Sequence, residues 1–130
     1  MRTTKYFLMA MMTMGLVAGL DVFRAADEAK PKYDIEEVMQ KAHKAPKGKL
    51  SLLKQVMEGK ASAEQKKQLV EYYEALAQNK PEKGSETDWK KRTTTLVAAA
   101  KKVADGNAAA RQQLGRAANC KACHQLHKPD

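Results

Sequence analysis

Large apolar side chains are scarce in this chain. Its 130 residues include two Phe, one Trp and four Tyr, only 5% of the total. Phe7, Phe23 and Tyr6 all fall in the first 23 residues, and no Phe follows them. A domain of roughly 100 residues with so few bulky groups has a thin core, a candidate for help from a cofactor, a metal or a partner. Seven Gly and four Pro are too few for a linker-rich or collagen-like chain. Strand-type alternation, internal repeats and Val/Ile/Thr-rich runs bounded by turns are all missing, so a sheet is not expected. No Arg-rich groove motif accompanies the net charge of +9, and no nucleic-acid partner is expected. What is present, 43% hydrophobic and 30% charged residues, fits a soluble globular domain rather than a disordered one.

The first 26 residues stand apart from the fold. Arg2 and Lys5 precede an uncharged, largely apolar run from Tyr6 to Leu20, followed at once by Asp21 and Arg24. The run suits the core of a secretory signal and is short of the ~20 residues that span a bilayer. An uncleaved membrane anchor is the alternative. The expectation is a signal peptide over 1–26, a domain over 27–130, a periplasmic location and no stable membrane insertion after cleavage. Loss of Arg2, Lys5, Arg24 and Asp21 leaves 21 basic against 14 acidic side chains. Most of that excess is Lys along helical stretches, a solvated surface or a field that steers acidic partners.

From Asp34 onward the pattern is helical. Asp34 is placed to cap a helix with Ile35, Val38, Met39 and Ala42 on one face. Pro46 and Gly48 interrupt it, and Leu50, Leu53, Val56 and Met57 resume it as far as Gly59. Ser62 with Gln65 has capping-box spacing and opens a helix with Leu69, Tyr72, Tyr73 and Leu76 facing inward. Ser85 with Asp88 opens the next, along which Trp89, Thr93, Leu96, Ala100 and Val103 recur. Asp105-Gly106 ends that helix. Asn107 can cap a last one that carries Ala110, Leu114 and Ala117 and runs into Cys120. Four helical units with short connections predict an all-α antiparallel four-helix bundle, its first helix interrupted near Pro46–Gly48.

The chemistry is concentrated in Cys120-Lys121-Ala122-Cys123-His124. Cys-x-x-Cys-His is the attachment sequence for c-type haem. On a helix, positions i, i+3 and i+4 share a face. Two thiols so placed can add to the two haem vinyl groups, and the following His can bind the iron from the same side. The alternatives are weaker. A Cys120–Cys123 disulfide would close too short a loop to stabilise much and would strain a helix. A thioredoxin-like pair needs a βαβ context. A zinc site built from Cys120, Cys123, His124 and His127 would crowd four ligands into eight residues.

With its Leu114-Gly115 stretch, its Cys120–Lys128 segment and its Trp89-Lys90-Lys91-Arg92 run, the chain resembles the class II c-type cytochromes over roughly residues 34–128. These are the cytochromes c-prime and their low-spin, methionine-ligated relatives. The family carries its haem near the C-terminus of an exported four-helix bundle. Lys128 matches the basic residue usual after the attachment sequence, and His127 stands where an aromatic is usual. Val38-Met39-Gln40-Lys41 is similar to the segment that bears the sixth iron ligand in low-spin members. The break at Pro46–Gly48 departs from the family's continuous first helix.

The resemblance implies one covalent haem c, thioethers at Cys120 and Cys123, and proximal iron ligation by His124. For the distal position Met39 comes first and His43, one turn on, second; Met57 is expected in the core. His127 is expected on the proximal side near the surface. The implied function is electron transport by a carrier that is not an enzyme, with acidic redox proteins as partners and a homodimer left open. If neither Met39 nor His43 reaches the iron, the alternative is a five-coordinate protein that binds nitric oxide or carbon monoxide.

Overall fold

The computed structural model describes residues 30–130, so the segment expected to direct export lies outside the described residues. Among the described residues the chain is all-helical and has no strand. Asp34 opens α1 (Ile35–Val38) through a reciprocal box: its carboxylate accepts from the Glu37 N–H, and Glu37 reaches back to the Asp34 N–H. The chain then loosens into a π turn, Met39–His43, and leaves the helix at Lys44, which is extended ahead of Ala45-Pro46. The resumed segment is α2 (Leu52–Met57), opened by Ser51. Ser62 and Gln65 form the second capping box and start α3 (Ala63–Gln78). Ser85 caps α4 (Glu86–Ala104), and α5 (Ala110–Ala117) follows Asn107, whose side chain accepts from the Ala110 N–H.

The core lies where α3 packs on α4, with α5 against both α4 and α2, and with α1 and α2 against α3. The inward faces are those the periodicity predicts. Leu69, Tyr72, Tyr73 and Leu76 of α3 are buried, as are Trp89, Thr93, Leu96, Ala100 and Val103 of α4. Alanines 42, 75, 99, 100 and 110 are buried among the larger side chains, which keeps the core thin and lets helices approach closely. The connection from α3 to α4 is pinned: the Trp89 indole N–H donates to the Asn79 carbonyl at 2.9 Å, and the Asn79 amide donates to the Tyr33 carbonyl at 2.8 Å.

Two expectations need correction. The last helix does not run from Asn107 into Cys120. It stops at Ala117, and a separate α6 (Cys120–His127) begins after Asn119. Asn119 is extended, and its side-chain oxygen accepts from the Ala122 N–H at 3.1 Å. Asn favours a cap over a helix interior because its side chain competes for backbone hydrogen bonds. Met57 is not a core residue: it is 38% exposed and rests on the bare backbone of Gly115, where a Cβ would come within 2.7 Å of its Cε.

Candidate functional site

α6 carries the chemistry and is held by very little. His127 is its sole buried side chain, and Leu126 is exposed. The imidazole of His127 fills a slot against α4 and the loop before it. Its Nδ1 lies 2.9 Å from the Lys83 carbonyl, its Nε2 lies 2.9 Å from Asp88 Oδ2, and its ring meets Trp89 edge-on at 5.3 Å. The expectation that His127 sits near the surface is therefore corrected: it is only 5% exposed, with its ring against Trp89 and a polar partner within reach of each ring nitrogen. Gly84 permits this seat. It has φ +87°, and a Cβ there would lie 2.5 Å from the Leu126 carbonyl oxygen and 2.8 Å from His127 Nδ1.

Asp88 links the seat to α4 a second time, through a 2.6 Å bond from Arg92 Nε. That bond, and then the one to His127, hold the Asp88 carboxyl below the usual carboxylate range. A carboxyl shifted down stabilises the fold above its ordinary pKa, and the contribution disappears as pH falls through the depressed value. Acid titration below about pH 4 is expected to release α6 first, seen as a change in Trp89 fluorescence before helical circular dichroism is lost. Asp88→Asn should remove that early step. An unchanged early step in Asp88→Asn would show that another group governs it.

The turn from Cys120 to His124 faces the first helix. Cys120, Cys123 and His124 line an inner pocket of about 50 Å³ together with Met39 and His43. Leu76, Thr93, Leu96, Ala117 and Ala118 close its sides. Met39, Cys123 and His124 also line an adjoining open cleft of about 440 Å³, walled by Ile35 and Trp89 and rimmed by Lys44 and Lys128. That size lies in the range of small-molecule and cofactor sites. All five residues singled out by sequence thus converge on one place. Both thiols are free, Cys120 exposed and Cys123 half-buried. Burial pushes the Cys123 thiol up, against the opposing charge of Arg92.

Set against models of known protein families, curated proteins and solved structures, the chain matches none.

Met39 and His43 are not equivalent. His43 is half-buried, and both of its ring nitrogens have partners: Nε2 lies 2.9 Å from the Tyr73 hydroxyl, and Nδ1 lies 3.3 Å from Met39 Sδ. Burial, and then the nearby His124, lower its pKa, so the neutral ring is favoured. Tyr73 is fully buried, and its phenol is held protonated by burial first and by nearby Cys120 second. Met39 borders both the inner pocket and the open cleft, whereas His43 borders the inner pocket alone. The zinc alternative loses a ligand, since His127 is turned into its slot against α4. Among the described residues no three His, Cys, Asp or Glu side chains converge to hold a metal ion. Sequence reasoning missed Tyr73, Asp88 and Gly84. The first two carried only helix-face or capping signals, and the third only a turn signal.

Proposed function

We propose that this protein is an exported mono-haem c-type cytochrome that moves single electrons between redox partners. One observation carries the proposal: the thiols of Cys120 and Cys123 and the imidazole of His124 line the same pocket as Met39 on the facing helix. The donor set fits haem c, with two thiols for thioethers, an imidazole one residue later, and a soft thioether across the pocket. When bound, the haem supplies the ferric/ferrous couple. The two cysteines tether it, so it stays through repeated turnover. His124 of α6 would hold the iron, and Met39 of the first-helix segment would supply the second ligand. Leu76, Leu96 and Ala117 keep water away, which favours the less charged reduced centre. The thin core and the weakly held α6 are both compatible with a large apolar group as part of the fold.

An antiparallel four-helix bundle is the architecture proposed for the holoprotein. The short α3–α4 and α4–α5 connections support it. The first and last of its helices are each broken in two, at Pro46–Gly48 and at Ala118–Asn119. The test of the function is direct. Protein expressed with export and c-type maturation should remain coloured after denaturation and acid–acetone extraction. Colour that passes into the solvent would remove the claim.

The cleft is lined by Lys44 and Lys128 and also by Glu36 and Glu82, and the excess of lysines lies in the neighbouring groove. Lys44 and Lys128 stand on its rim, and Lys44, Lys49, Lys41 and Lys60 line a groove beside the first-helix break. Among the described residues, Lys44, Lys47, Lys49, Lys54, Lys121 and Lys128 form no ion pair. An acidic redox partner is the complementary surface. Electron exchange with such a partner should slow as ionic strength rises, because exposed charges are screened beyond ~8–10 Å. A rate indifferent to salt would leave these lysines as plain solubility charge.

A further inference from the structure

The His43 ring is caught between a buried hydroxyl and a sulfur. A thioether sulfur can only accept a hydrogen bond. The 3.3 Å approach of His43 Nδ1 to Met39 Sδ is therefore a hydrogen bond only if Nδ1 carries the proton. In the neutral ring Nε2 then has a bare lone pair, 2.9 Å from the Tyr73 oxygen, and the phenol O–H is the donor it needs. Tyr73 has no solvent contact, so its hydroxyl has no water to turn to. The π turn Met39–His43 places the sulfur and the ring together at the pocket wall, and such turns are common at functional sites.

We infer that Tyr73 and His43 form a fixed donor chain, phenol O–H to Nε2 and Nδ1–H to Met39 Sδ, that orients the Met39 sulfur toward the haem position. The inference rests on the haem attachment proposed above. His43 is a positioning residue in this arrangement and not a ligand. The chain holds the Met39 side chain in one rotamer at the pocket wall. Without it a flexible thioether on a loosened helical turn leaves the pocket more often. Tyr73 is the anchor, since it is wholly buried and on α3, outside the π turn that carries Met39 and His43.

The test uses purified, matured protein, reduced so that the spectrum is diamagnetic, and labelled with ¹⁵N-histidine. The chain has three histidines, so the ring signals are few. His43 should show the tautomer protonated at Nδ1, the minor form of free histidine. Tyr73→Phe, which keeps the ring and loses the hydroxyl, should shift His43 toward the Nε2-protonated form. It should also raise carbon monoxide affinity about tenfold or more, the usual scale for loss of a residue that orients a ligand. His43→Gln, with an amide N–H in place of the ring donor, should reverse part of the rise in carbon monoxide affinity expected of His43→Ala. Wild-type His43 protonated at Nε2 would overturn the inference. So would a Tyr73→Phe variant with unchanged tautomer and unchanged carbon monoxide affinity. Failure of the haem attachment itself would show separately, as colour that extracts into solvent, while the tautomer still reports on the donor chain.

Discussion

Replacement of both Cys120 and Cys123 by alanine is expected to yield a colourless chain that no longer melts cooperatively. The magnitude follows from the core. The buried apolar set contains a single Trp, two Tyr and no Phe, and five of its members are alanines. Burial of on the order of 400 Å² of apolar macrocycle contributes roughly 10 kcal/mol before entropy losses. A domain of this size is stable by only about 5–15 kcal/mol in total. Loss of the proposed haem would therefore remove a share comparable with the whole. α6 should be lost first, since it buries His127 alone. The two longest helices, α3 and α4, should persist as a poorly packed pair. Each single Cys→Ser variant should keep at most one thioether. Thermal unfolding followed by circular dichroism reads the effect. A cooperative melt of the colourless variant near the temperature of the coloured protein would show that side chains alone suffice.

Met39→Ala is expected to convert a closed, six-coordinate iron centre into one that takes up carbon monoxide. The thioether shares the inner pocket and the open cleft with His124. A soft sulfur ligand favours reduced iron, so the substitution should also lower the reduction potential. The oxidised wild-type protein should show the weak near-infrared band that sulfur-to-iron charge transfer produces, and the variant should lack it. His43→Ala should retain the band at reduced strength, because Met39 remains. The opposite pattern, with His43→Ala opening the iron and Met39→Ala silent, would make this a bis-histidine centre. Ready uptake of carbon monoxide by reduced wild-type protein would remove both residues as ligands and favour gas binding over electron transfer.

The helix starts were legible because their causes are local. Asp34, Ser62 and Ser85 each stand one residue before a helix and accept from a backbone N–H three residues on, whereas Ser51, which does the same for α2, was not singled out. Such a bond depends on a handful of neighbouring residues and needs no tertiary partner. The inward faces of α3 and α4 were legible for the same reason, since a 3.6-residue period is written along the chain. Asn119 escaped notice because Ala109 to Ala118 has strong helical character and one polar residue does not announce a break. Met57 was misplaced because Gly115, the surface it rests on, is 58 positions away.

From the sequence alone come the all-helical class, the caps, the inward faces, and the one-turn spacing of Cys120, Cys123 and His124 on a common face. Those properties are set within a turn or two of helix. Only the tertiary structure decided what that face looks upon. It brought Met39 and His43 to the same pocket as the cysteines, put the Tyr73 hydroxyl against His43, and drew His127 inward between Asp88 and the Lys83 carbonyl. Each of these joins residues 30 or more positions apart. Hydrogen-bond partners at that separation are chosen by how whole helices pack, and the packing depends on every buried side chain at once.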